Sequence, residues 1–133
     1  MSVGILIITH GETAQQLIQT ATSTLGGKLP LDCRALSVSP TCDPDKSLKK
    51  AESLLNDLMS EDGVLILTDI YGSTPSNIAN HFERLDNISV IAGINLPMLI
   101  RVLNYPKLNL SEMTAKALSG GHDGIILCDK GQS

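Results

Sequence analysis

Tryptophan is absent, and tyrosine and phenylalanine together leave aromatics at only 2% of the 133 residues. A core without aromatics must be aliphatic, and a surface without them offers nucleic-acid bases little to stack on. Basic runs are missing as well. Net charge is −4 and the sequence pI is near 5.2, so binding to nucleic acid or to an anionic membrane by charge alone is excluded. No apolar stretch approaches the ~18 residues of a membrane helix. The opening run Val3 to Ile8 lacks a basic leader and breaks at Thr9-His10-Gly11, so it is read as a buried strand and not as a signal peptide. Cys33, Cys42 and Cys128 are odd in number and lack CxxC spacing, which points to reduced thiols in the cytoplasm. His10, His81 and His122 lie in different segments, none at metal-ligand spacing to a cysteine or another histidine, so neither a metal nor a cofactor is expected.

What is present is aliphatic and periodic. Hydrophobic residues make up 42% of the chain, enough for one compact domain spanning 1–133. Val3 to Thr9, Cys33 to Val38, Gly63 to Asp69 and Ile88 to Ala92 read as strands. Between them run helical periods. Ala14, Leu17, Ile18, Ala21 and Leu25 mark the first, and Leu48, Ala51, Leu54, Leu55 and Leu58 the second, begun by Asp43-Pro44. Thr74-Pro75 opens a third, with Ile78, Ala79, Phe82 and Leu85 on one face. Asn95 caps a fourth through Leu103. Ser111 caps a fifth through Leu118, which Gly120-Gly121 ends before a short last strand over Gly124 to Cys128.

Alternating strands and helices imply an α/β three-layer sandwich, a mostly parallel sheet with helices on both faces. In the order 2-1-3-4 the winding reverses between strands one and three, and ligands gather beyond the carboxyl ends there. His10 and Asp69 are the polar residues at those two ends. A carboxylate that accepts the N–H of one imidazole nitrogen fixes the tautomer and leaves the other nitrogen as a nucleophile. No serine or cysteine is placed to take that part, so the imidazole itself would attack. The electrophile should be anionic. Small-residue turns leading into helix starts favour phosphate, and neither turn contains Lys or Arg. Gly11 and Gly72, with the hydroxyls of Thr9, Ser73 and Thr74, are the candidate phosphate holders. Alone, His10 could be a turn residue and Asp69 a turn cap. Their joint placement is what suggests a site.

At these residues the chain resembles the IIA component of the mannose family of the phosphoenolpyruvate-dependent phosphotransferase system. Four segments carry the resemblance in order: Ile7-Ile8-Thr9-His10-Gly11, Gly63 to Asp69, Gly72-Ser73-Thr74-Pro75-Ser76-Asn77, and Val90 to Leu99 with Gly93-Ile94-Asn95-Leu96-Pro97-Met98 at its centre. The resemblance implies phosphorylation of His10, with Asp69 as its acidic neighbour. It implies a phosphotransferase that takes its phosphoryl group from the phosphorylated histidine phosphocarrier protein and hands it to a IIB protein. With no linker or IIB segment after the last strand, that protein is expected on a separate chain. It further implies a homodimer in which the last strand, antiparallel, is exchanged between subunits. Packing of that strand on its own sheet is the alternative. The family loop carries two consecutive glycines where this chain has Gly72-Ser73, which matters if the second position needs positive φ.

Other classes stay open at this point. In a regulatory protein, the phosphorylation state of His10 would control binding to another protein without sugar transport. The phosphocarrier subunit of a dihydroxyacetone kinase also uses an early histidine, but the Gly93 to Met98 run points to the mannose type. A passive nucleotide or flavin module fits the fold, yet neither GxGxxG nor a Walker lysine supports it.

Overall fold

A computed structural model describes residues 2–129. The order of elements is β1 (Gly4–His10), α1 (Thr13–Thr24), β2 (Cys33–Val38), α2 (Pro44–Leu58), β3 (Val64–Thr68), α3 (Thr74–Asn80), β4 (Ile88–Ala92), α4 (Leu96–Leu103) and α5 (Leu110–Asp123). The four strands are parallel in the order β2-β1-β3-β4. β1 and β3 are central and buried on both faces, which is why they read as unbroken apolar runs.

The period of two splits the core into two layers. Ile5, Ile7, Leu65 and Leu67 face one side and pack with Ala14 and Ala21 of α1, Met98 to Leu103 of α4, and Met113 and Ala117 of α5. Leu6, Ile8, Val64 and Ile66 face the other side, against Ala51 and Leu55 of α2 and Ile78 and Ala79 of α3. Chain winding therefore reverses between β1, which leads to α1, and β3, which leads to α3 on the opposite face.

Helix starts follow local chemistry. Asp43 caps α2 by accepting from the Asp45 N–H at 3.0 Å, with Pro44 first in the helix. Asn95 caps α4, accepting from the Met98 N–H at 2.9 Å. α5 begins earlier than Ser111. Asn109 accepts from the Glu112 N–H at 2.8 Å, while the Glu112 carboxylate accepts from the Asn109 N–H at 3.1 Å. This reciprocal capping box outcompetes a lone serine. α3 is shorter than its apolar period: after Asn80 the chain turns, and Leu85 is exposed while Phe82 stays buried.

The expected end of α5 is overturned. α5 does not stop at Gly120-Gly121 but runs through to Asp123, and 124–128 form no strand. The glycines serve close packing of α5 on α4. A Cβ on Gly120 would lie 2.4 Å from the Arg101 Cβ, and one on Gly121 would lie 2.8 Å from the Met98 Cε. β4 is left as an edge of the sheet. Ile125, Ile126 and Leu127 are left 78%, 67% and 73% exposed.

The two roles of Gly120 predict opposite signs for Gly120→Ala. As a helix stop in an exposed position, alanine would stabilise by up to about 1 kcal/mol. As a packing contact, alanine should cost about 1–3 kcal/mol through overpacking. Urea denaturation should show the loss. A gain in stability would contradict the packing role.

Candidate active site at the sheet switch point

His10 is the last residue of β1, and Asp69 follows directly on β3. The register pairs Ile8 with Thr68, so the two strand ends lie side by side where the winding reverses. The Asp69 Oδ2 accepts two bonds from His10: the backbone N–H at 2.9 Å, and the ring at Nδ1, 2.8 Å away. The other carboxylate oxygen, Oδ1, accepts the Ile70 N–H at 2.8 Å. Three donors thus converge on one carboxylate. Burial pushes the Asp69 carboxyl up, but the His10 backbone and ring bonds, the Ile70 bond and the charge of the ring outweigh it, and the net direction is down. Asp69 is therefore an anion at neutral pH, and Nδ1 must carry the proton. In the neutral form of the ring, Nε2 then keeps the lone pair. The His10 side chain is 45% exposed against 16% for Asp69, so the ring reaches solvent while its anchor stays shielded.

The expected phosphate holders divide. Alternation along β1 puts Thr9 on the α1 side with Ile5 and Ile7, and His10 on the α3 side with Leu6 and Ile8. Thr9 is wholly buried, and its hydroxyl accepts the Ala14 N–H at 2.9 Å, anchoring the first turn of α1. It is a structural residue and no phosphate holder. Gly11 (φ +49) spends its N–H on the Val38 carbonyl at 3.1 Å. Gly72 (φ +85) donates to the buried Ser76 hydroxyl at 3.3 Å. These glycines shape their turns, and their amides point to protein acceptors. The Ser73 hydroxyl donates to the Ile70 carbonyl at 2.5 Å and closes the turn after Asp69. Its φ of −89° is ordinary for serine, so this position needs no second glycine. Thr74, exposed at the first position of α3, keeps an uncommitted hydroxyl on the His10 side of the sheet. Sequence reasoning assigned no role of their own to Ser76, the prop under Gly72, or to Ile70 and Tyr71, which stand 62% and 80% exposed on the same turn. Only the i+4 spacing of Ser76 from Gly72 hinted at the first.

Cys33 lies in β2, and its thiol is pushed up to about 12 by burial and by Asp32. His81 packs edge-on against Phe82, and His122 sits in the last turn of α5. A cavity of about 560 Å³ around Glu61, Asp62 and Asp86 lies at the amino ends of β3 and β4, the far end of the sheet from His10. A second hollow of about 450 Å³, lined by Glu12, Thr13, Gln16 and Leu96, lies along the start of α1 just beyond His10.

A parallel α/β fold with an exposed imidazole held by a carboxylate at the switch point is an arrangement able to do nucleophilic chemistry through histidine. The chain belongs to the EIIA-man family, described as the PTS system fructose IIA component, whose model matches residues 4–118. It is 31% identical over 128 residues to the PTS system mannose-specific EIIAB component of Escherichia coli K12, a match covering 94% of this chain and 39% of that protein. It is 42% identical over 57 residues to the PTS system fructose-specific EIIA component of Bacillus subtilis, covering 42% of this chain and 39% of that one. The chain thus spans about two fifths of the length of the EIIAB component it matches. Among solved structures, a PTS IIA protein associated with the fucose utilization operon of Streptococcus pneumoniae superposes with a TM-score of 0.76 at 27% identity, covering 99% and 98% of the two chains. A mannose/sorbose-specific IIA subunit from Enterococcus faecalis shares the fold, with a TM-score of 0.86 at 24% identity over 97% and 96%. Among the described residues no helix is long and apolar enough to cross a membrane.

Proposed function

We propose that residues 1–133 act as one phosphoryl-carrier domain of the phosphoenolpyruvate-dependent sugar phosphotransferase system. One observation carries the reading: the His10 Nδ1 held 2.8 Å from the Asp69 carboxylate, on a side chain that is 45% exposed. The Nε2 lone pair attacks the phosphorus of the phosphorylated histidine phosphocarrier protein. The donor's P–N bond breaks as the new one forms, and Asp69 stabilises the positive charge that develops on the ring. A IIB protein then takes the group by the reverse process, and His10 returns to its neutral tautomer. Thr74 can donate its hydroxyl to a phosphoryl oxygen. A site without its own Lys or Arg holds the group loosely enough to pass it on.

Incubation with phosphoenolpyruvate, enzyme I and the histidine phosphocarrier protein, followed by a mannose-type IIB protein, tests this reading. Label should enter the chain and then leave it for IIB. Label that enters but never moves to any IIB would leave a regulatory phosphohistidine, not a carrier.

The C-terminal segment supports a further part of the proposal, a two-fold dimer. Ile125 to Leu127 are exposed and β4 is an uncovered sheet edge. Reciprocal pairing of this segment with the edge of a second copy would bury both. Truncation after Gly124, which spares α5, should convert a dimer into a monomer by light scattering. A full chain that is monomeric at micromolar concentration would contradict the exchange.

A further inference from the structure

The segment Gly93-Ile94-Asn95-Leu96-Pro97-Met98 is the part of the sequence that the chemistry above leaves unexplained. Asn95 and Pro97 begin α4. Gly93 does something else. Its N–H points back at the end of β3 and donates to the Thr68 carbonyl at 2.9 Å and to the Asp69 carbonyl at 2.8 Å. The Ile94 N–H also reaches the Thr68 carbonyl, at 3.0 Å. The Asp69–Ile70 peptide group is therefore gripped at both ends. Its C=O accepts from Gly93, and its N–H donates to the carboxylate Oδ1 of Asp69 itself. Because a peptide is planar, fixing the C=O fixes the direction of that N–H. The N–H direction in turn sets the carboxylate plane, which holds the two His10 donors.

We infer that Gly93 is a positioning residue for phosphoryl transfer, setting the Asp69 carboxylate, and through it the His10 tautomer, by way of the Asp69–Ile70 peptide plane. The inference rests on the carrier reading above. The requirement for glycine is conformational: φ is +95°, a region that L side chains rarely adopt, whereas a Cβ there would meet no atom within 4 Å. Alanine would therefore act by turning the backbone and withdrawing the N–H, not by collision. β4 is the edge of the sheet, so no further strand on its outer side holds this turn in place.

The test combines Gly93→Ala with Asp69→Asn in a double-mutant cycle. Gly93→Asn, which tolerates positive φ better, is the second variant should alanine impair folding. Gly93→Ala should slow single-turnover transfer roughly tenfold, with the half-saturating donor concentration unchanged. In the Asp69→Asn background the same change should add little. ¹⁵N NMR of the unphosphorylated protein should show His10 losing part of its Nδ1–H tautomer, a readout that needs no phosphoryl transfer. If the wild-type chain accepts no phosphoryl group, the carrier reading fails and the NMR comparison still decides the role of Gly93. An unchanged tautomer in Gly93→Ala, or an equal loss of rate in both backgrounds, would overturn the inference.

Discussion

His10→Ala should accept no label from the phosphorylated histidine phosphocarrier protein, while the wild-type chain should take up about one equivalent. The difference is all or none, because the proposed step has one nucleophile. Of the other histidines, His81 packs on Phe82, and His122 lies in the last turn of α5, lining a hollow with Gly93 and Asn95. The Cys33 thiol, pushed up to about 12, stays protonated. The wild-type product should be a phosphoramidate, lost in acid and stable in base. The variant should keep its fold, because His10 ends β1 with its side chain 45% exposed. Label that persists in His10→Ala would move the chemistry to another residue.

Asp69→Asn should slow transfer by roughly ten- to a thousandfold, the range expected when an orienting charge is removed from the reacting group. Hydrogen-bond arithmetic explains why the near-isosteric amide fails. Three N–H groups point at the two oxygens of Asp69: two from His10 at Oδ2 and one from Ile70 at Oδ1. An asparagine has one oxygen and one NH₂. Whichever way it turns, a donor faces a donor, and the Nδ1–H tautomer loses its anion. The carboxylate also stabilises the fold. Its pKa is lowered in the folded state, so that contribution is complete above the ordinary aspartate value of ~3.9 and is lost as pH falls through the lowered one. The stability gap between wild type and Asp69→Asn should therefore narrow in acid. A transfer rate equal to wild type would remove Asp69 from the mechanism.

How far the sequence could be read depended on the range of the forces involved. β1 and β3 were plain because strands covered on both faces must be apolar throughout, and their order alone placed His10 beside Asp69. Asp43 and Asn95 were legible as caps because capping is local. Gly120 and Gly121 misled because local propensity reads glycine as a stop, whereas the reason for these two glycines is the proximity of Arg101 and Met98 on α4. Thr9 stood among the candidate phosphate holders because it offers a hydroxyl beside His10 where the turns lack Lys and Arg. The alternation that separates them was available, but which face carried α1 was not. The Asp69–Ile70 peptide plane and its hold by Gly93 join residues far apart in sequence, and no periodicity marks them.

The central claim is that the imidazole, tethered at Nδ1 by Asp69, reacts through Nε2. The most direct measurement is ¹⁵N NMR of the phosphorylated protein with its histidines labelled. The two ring nitrogens give separate signals, and phosphorylation shifts the one that bears the group. The account predicts phosphate on the Nε2 of His10, with Nδ1 still protonated and bonded to Asp69. Phosphate on Nδ1 would mean that the 2.8 Å contact breaks before reaction, and would contradict it.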